Sequence, residues 1–527
     1  MIVSAFGDAL RICEAGNIMY AKHTEAIAME LNAALDKFNA SKRLLRAYTH
    51  AQNMLYYDSV TAAPKGCIRG LGDTMEVMSE EEYKITMDDA YIEAVETLYK
   101  EKDKLDFIPR REIEEEYESI RKVRCIPKDE YLEFSKLTTQ AQHVWHEAKA
   151  NNDYALFEPY LEKLVDYSRR FAGYIAPEKA AYDYWLNEHE NGLSMAVLDE
   201  YFGLIKEKLV PLIKRIGEAK QPETRFLDEL YPIDKQRELS GYLMNVMSIS
   251  RDNCAIGETE HPFTLNFNKY DVRITTHYHE HVPASSMYSV IHEGGHALYE
   301  LHTGDELYGT SLAQGASTAM HESQSRMFEN MIGRSREFIE LIFPKLKELF
   351  PTQLDGVTAE AFYRAVNKCE PSLIRTEADE LTYSLHVLIR YEAEKKLFAG
   401  EVTTKELPAL WNSLYKEYLG VDVPNDTQGV LQDSHWSGGA FGYFPSYSVG
   451  SAYSAQIYSH MDKDIGAAAL VREGRLSNIV DWLTERIYKY GAAKKPFELL
   501  EESCGEKFDP HYYIDYLTDK FTKLYEL

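Results

Sequence analysis

Leu198, Phe202, Ile205, Leu209, Leu212 and Ile216 recur at spacings of four and three, a period that gathers them on one face of a helix. Ser194 stands where an N-cap would. Pro211 lies inside the run, and its missing N–H predicts a kink or an interruption. Phe157, Leu161, Leu164 and Val165 make a second stripe, and both read as surface turned toward a core. The rhythm changes once. Phe263-Thr264-Leu265-Asn266-Phe267 and Val272-Arg273-Ile274-Thr275 alternate apolar and polar residues on either side of Asn268-Lys269-Tyr270, which predicts two short strands in a hairpin. The polar breaks at 217–225 and 350–356 read as loops within one body. No repeat, low-complexity tract or Gly/Ser linker divides the chain, so the pattern predicts a mostly α fold, a single large helical domain over 1–527 with a small β-sheet.

Composition narrows the class. The chain has 527 residues, 45% of them hydrophobic, which is ample for a large core. A net charge of -27 would repel phosphates over most of the surface, so nucleic acid is not the expected partner. No run approaches the roughly 18 apolar residues of a membrane span. Met1-Ile2-Val3-Ser4-Ala5-Phe6 lacks a basic start, so a signal peptide is not expected. Cys13, Cys67, Cys125, Cys254, Cys369 and Cys504 lie far apart, with no CxxC pair, which points to neither a disulfide framework nor a thiolate metal site. These features favour a reducing, cytoplasmic setting.

The chemistry concentrates in His292-Glu293-Gly294-Gly295-His296. Residues four apart on a helix differ by about 40° in azimuth, so both imidazoles face one way and can share a zinc-like ion. Glu293, beside the first of them, can reach an attacking water without joining the coordination sphere. The flanks predict a helix from about Ser285 to His302. Each glycine costs it roughly 1 kcal/mol, a loss that close approach of another helix would offset. HExxH alone turns up by chance in roughly one in twenty chains of this composition, so the context has to decide. A second helix is predicted over about Ser311 to Gly333, carrying His321-Glu322-Ser323-Gln324 with Arg326 one turn on. Glu322 supplies the third protein ligand that an open metal site needs; taken alone it would read as a surface glutamate.

Six ordered motifs resemble those of the M32 metallocarboxypeptidases, the thermostable carboxypeptidase Taq type. They are His261-Pro262-Phe263, Asp271-Val272-Arg273-Ile274-Thr275, the HEGGH run, His321-Glu322-Ser323-Gln324, Ile374-Arg375-Thr376-Glu377-Ala378-Asp379, and Gly429-Val430-Leu431-Gln432-Asp433-Ser434-His435-Trp436. The run Gly439–Tyr447 resembles the segment that follows in the family. These motifs span about 260 to 450, whereas 1–150 is a helical region without a clear signature.

The resemblance implies a deep cleft with the sheet beside it, a homodimer, and one divalent ion per chain, Zn2+ or alternatively Co2+, on His292, His296 and Glu322. It implies Glu293 as general acid/base, Arg375 as a holder of the substrate's terminal carboxylate, and His261 and Tyr447 as residues assisting the reacting carbonyl. His435 is implied nearby. A guanidinium matches a carboxylate through two parallel hydrogen bonds, which suits Arg375 to a peptide with a free C-terminus. Read without the resemblance, Arg375 would pair with Glu377 or Asp379, His261 would be a turn residue and Tyr447 a core aromatic. Two rival functions stay open at this point, a metallo-endopeptidase or oligopeptidase and a non-catalytic peptide-binding protein. A pocket for the terminal carboxylate separates the first from a carboxypeptidase, and intact ligands argue against the second.

Overall fold

The computed structural model describes residues 2–527, with side chains from Met29 onward. The expectations for Met1–Phe6 and Cys13 concern side chains outside that range. The other five cysteines are free thiols. Among the described residues, no helix is long and apolar enough to cross a membrane.

The architecture is mostly α, with a three-stranded sheet. Contacts divide it into two compact units, Met1–Val123 and Arg124–Leu527. The first is built on the long helix Ile2–Thr61 and has its own small core of Phe38, Tyr91, Val95, Leu98 and Ile113. The second holds all six motifs and the main core.

In that second unit both predicted stripes are buried, on the helices Tyr154–Ile175 and Met195–Glu218. The Ser194 hydroxyl accepts from the Val197 N–H at 3.4 Å, as its cap position requires. Pro211 does not interrupt its helix, which runs unbroken to Glu218. Pro211 lies on the exposed face, as does Glu207 one turn earlier, so water can serve the carbonyl that the missing N–H leaves unpaired.

The hairpin forms as predicted. β2 (Thr264–Asn268) pairs antiparallel with β3 (Asp271–Thr276), Thr264 opposite Ile274 and Asn266 opposite Val272. A third strand, β1 (Cys254–Glu258), lies parallel to β3 on its other side and was not predicted. Its sequence, Cys254-Ala255-Ile256-Gly257-Glu258, does not alternate apolar and polar residues and so carries no strand period.

The HEGGH helix spans Pro283–Leu301 and begins on a proline, which gives up no intrahelical bond there. The predicted second helix is shorter than its pattern suggests. Residues 311–317 are not helical, and the α-helix runs only from Thr318 to Arg326. It starts on Ser317, whose hydroxyl accepts from the Met320 N–H at 3.1 Å, and it continues as a π-helix over Met327–Ile332. The glycines of HEGGH are explained by what they touch. A Cβ on Gly295 would stand 2.7 Å from the Gln324 carbonyl oxygen and 2.7 Å from the Ser325 Cα, so the two helices meet backbone to backbone at this point. Gly450, on the helix Phe444–Ile465, makes a similar approach to the other side, 2.8 Å from the Glu322 Cβ.

Candidate metal centre

The close packing at Gly295 brings the Glu322 helix against the HEGGH helix. Ligand atoms of His292, His296 and Glu322 lie within 4.8 Å of one another. Glu322 Oε2 is 3.8 Å from His292 Nε2 and 3.5 Å from His296 Nε2. Bonds of about 2.0–2.2 Å to a shared ion demand separations of this order.

The atoms turned away from that point are all engaged. His292 Nδ1 meets Glu329 Oε2 at 2.9 Å, and Glu329 is flanked by Arg326 and Arg334, each at 3.4 Å. His296 Nδ1 contacts His321 Nδ1, and His321 Nε2 reaches Glu300 Oε1 at 2.6 Å. Glu322 Oε1 accepts from Arg326 Nε at 2.7 Å. Each histidine is thereby left with Nε2 to offer, which a metal ligand requires.

Electrostatics agree with a cation site. Burial works against protonating His292, but the Glu329 hydrogen bond and the Glu322 charge outweigh it and raise its pKa, so positive charge is favoured there. Burial lowers His296 to about 3, which keeps that ring neutral. Burial alone would raise Glu322; Arg326 and the two histidines hold it well below the usual carboxylate range. The residues present therefore fit a divalent ion.

Glu293 points to the hairpin. Thr264 Oγ1 donates to Glu293 Oε2 at 2.6 Å and lies 3.1 Å from the Glu293 backbone carbonyl oxygen. Burial pushes the Glu293 carboxyl above its ordinary range.

A second cluster gathers around Arg375, in a short turn over Arg375–Glu377. Arg375 does not pair with Glu377 or Asp379. Its Nε and Nη2 donate to Asp433 Oδ1 at 3.1 and 3.0 Å, while Asp433 Oδ2 accepts from Arg390 Nε and Nη2 at 2.7 and 2.5 Å. Asp379 instead caps the next turn, accepting from the N–H groups of Leu381 and Thr382. Tyr447 lies with its ring 5.0 Å from the Arg375 guanidinium, and its hydroxyl is 3.3 Å from His435 Nε2. Burial lowers His435 to about 4, so its ring is neutral near pH 7. Tyr447 is thus no plain core aromatic but a partner of both predicted substrate residues.

Tyr383 joins the clusters. Its hydroxyl accepts from Arg375 Nη1 at 3.3 Å, and its ring carries the Arg326 guanidinium at 4.2 Å. Arg326 in turn holds Glu322. Tyr383, Asp433, Arg390, Glu329 and Thr264 were not singled out from the sequence. Asp433 sits inside a quoted motif and could have been. The His261 side chain is exposed at the turn before β2, with no hydrogen bond or ion pair among the described residues.

A helical body in which an HExxH helix and a glutamate from its neighbour converge describes a helical metallopeptidase. Comparison specifies which: the chain belongs to the carboxypeptidase Taq (M32) metallopeptidase family, whose model matches residues 37–521. Carboxypeptidase 1 of Bacillus subtilis (strain 168) is 38% identical over 504 residues, covering 95% of this chain and 100% of that protein. Thermostable carboxypeptidase 1 of Pyrococcus furiosus is 34% identical over 500 residues, covering 93% and 99%. The crystal structure of the M32 carboxypeptidase from Deinococcus radiodurans R1 superposes with a TM-score of 0.90 at 32% identity, covering 94% of this chain and 100% of that one. The protein is accordingly a metallocarboxypeptidase, a hydrolase of peptide bonds acting on peptides. The endopeptidase and non-catalytic readings are set aside on that ground.

Proposed function

We propose that His292, His296 and Glu322 hold one divalent ion, Zn2+ or alternatively Co2+, and that Glu293 is the general base for removal of single residues from the C-terminus of peptides. The observation that carries this reading is the convergence of three ligand atoms whose outer partners are all engaged. Two imidazoles, a carboxylate and an open position suit zinc. Such an ion supplies Lewis acidity, polarising the scissile carbonyl and making water a better nucleophile.

The protein's own groups do the rest. Glu293, oriented by Thr264, takes the proton of the attacking water and returns it to the leaving amine nitrogen. Arg375 receives the terminal carboxylate. Asp433 neutralises only one of two buried guanidiniums, so the trio keeps a net positive charge. Asp433 also takes the Nε side of Arg375, which leaves one N–H on each of Nη1 and Nη2, the pair that an end-on carboxylate engages. Tyr447 donates toward the developing oxyanion, and His435, bonded to its hydroxyl, orients it. His261 assists from the turn before β2 once a peptide is bound. The same reading takes 1–527 as a single metallocarboxypeptidase domain, with the catalytic motifs at 260–450, in a cytoplasmic homodimer.

A time course of peptide products by mass spectrometry, with metal analysis, tests this. A ladder shortened from the C-terminus, lost on chelation and restored by zinc or cobalt, supports it. Full activity in metal-free protein would sink the mechanism.

A further inference from the structure

The two histidines of the cluster are supported differently. His292 leans directly on a carboxylate, Glu329. His296 reaches one only through a second imidazole: its Nδ1 meets His321 Nδ1, and His321 Nε2 meets Glu300 Oε1. We propose that Glu300 and His321 form a proton-ordered relay that fixes the tautomer and orientation of His296, so that they are positioning residues for the ion.

The argument is a proton count, and it rests on the ligand reading above. Glu300 is buried, and every recorded partner of its carboxylate oxygens is a nitrogen that can donate. Gly315 N–H gives to Oε1 at 3.1 Å, and Asn266 Nδ2 gives to Oε2. Carboxyl oxygens that face N–H groups on every side act as acceptors, so the third partner, His321, brings its proton on Nε2. On the ligand reading His296 binds through Nε2 and so carries its own proton on Nδ1, which makes His321 Nδ1 the acceptor of their contact. From Glu300 to the ion, each hydrogen bond therefore has one permitted direction.

The surroundings are shaped for the His321 ring. A Cβ on Gly315 would lie 2.3 Å from His321 Cδ2, so the non-helical segment before Ser317 admits no side chain there. Tyr299 packs its ring 5.5 Å from that of His321 and accepts the Ala316 N–H on its hydroxyl at 3.2 Å. Glu300 is four residues after His296 on the same helix, and Asn266 reaches it from β2. Sheet, loop and helix thus converge on the relay, while none of these groups occupies the ligand point itself.

The test is zinc affinity of the purified enzyme by chelator competition, read beside thermal unfolding of the metal-free protein. His321→Phe removes the acceptor, and zinc should be held about 10–100-fold more weakly, the usual effect of losing such a partner. His321→Asn keeps an acceptor oxygen near the Nδ1 position but cannot reach Glu300, and it should recover part of that loss. Cobalt-substituted His321→Phe should show an altered visible spectrum. His296→Ala serves as the control and should lose zinc far more severely. Zinc held as tightly in His321→Phe as in the native protein, or no recovery in His321→Asn, overturns the relay while leaving the ligand assignment intact. Undiminished zinc in His296→Ala overturns both.

Discussion

Gly295 and Ser325 come so close that the Cβ that Gly295 lacks would stand 2.7 Å from the Ser325 Cα, where neither backbone can yield. This contact sets the distance between the helix that carries His292 and His296 and the one that carries Glu322. Gly295→Ala should therefore push the helices apart, costing about 1–3 kcal/mol of stability and weakening metal retention with it. Gly294 is the contrast. Its added Cβ would meet the flexible end of Met247, with Cε at 2.7 Å, and Ile249 Cδ1 at 3.0 Å. Alanine there also gains roughly 1 kcal/mol of helix propensity. Gly294→Ala should stay near native stability and keep its zinc. Equal zinc content and melting temperature in the two variants would refute this account of the HEGGH spacing.

What was legible in the sequence was what repeats within one element. The Leu198–Ile216 stripe, the hairpin, and the i, i+4 histidines each follow a period that the chain displays locally. Glu329 was invisible because it reaches His292 from a π-helix, and nothing in Met327–Ile332 announces the wider turn. The true partner of Arg375 was missed for another reason. Asp433 is 58 residues away, whereas Glu377 and Asp379 were adjacent and equally charged. The Glu322 helix starts at Thr318 and not at about Ser311 because the segment around Gly315 is shaped to the His321 ring, a contact that local spacing does not display.

Thr264 and Glu293 give a separation of chemistry from binding. Glu293→Gln keeps an oxygen for the Thr264 hydroxyl but cannot take a proton, so zinc content should be unchanged while kcat falls by orders of magnitude. Thr264→Val leaves the base but frees its carboxylate. A hydrogen bond to a charged group contributes about 1.5–3 kcal/mol, so kcat should drop roughly 10- to 100-fold, again with zinc retained. Steady-state kinetics with metal analysis check both, and a Glu293→Gln variant of near-native rate would show the base to be misassigned.

Glu190 supplies a pH-dependent term in stability. It is fully buried at the start of the Glu322 helix, accepting from the Ser317 hydroxyl at 2.9 Å and the Ala319 N–H at 3.0 Å. Burial pushes its pKa up to about 8 from an ordinary value near 4.5. Between those values the unfolded chain has lost the proton and the folded one keeps it. The Glu190 contribution is thus fully present below about pH 4.5 and is lost as pH rises through about 8, at up to ~1.4 kcal/mol per unit. Glu190→Gln cannot ionise, so it should gain stability relative to the native protein across that window. Urea unfolding of both at pH 5 and pH 8 measures the difference. A gap that did not change with pH would mean that Glu190 is ionised throughout.

The proposed role of Arg375 makes the direction of cleavage testable. In the free protein its charge is shared with Asp433, but Asp433 is also held by Arg390, so removing Arg375 leaves no orphaned carboxylate behind. Arg375→Ala should therefore fold and retain zinc. Its defect should appear with substrate, because a terminal carboxylate brought to a buried site would lose its partner, at a cost of about 2–5 kcal/mol in kcat/KM. Amidating the peptide C-terminus removes the other half of the same pair and should produce a comparable loss in the native enzyme. The two losses should not add when combined, since each abolishes one interaction. Arg375→Lys should recover little, because a point charge cannot engage a carboxylate through two parallel bonds. A mass-spectrometric comparison of free and amidated peptides with the three enzymes gives every term of this cycle. If Arg375→Ala still preferred the free carboxylate as strongly as the native protein does, the remaining charge of Arg390, or another group near Tyr447, would have to hold the terminus.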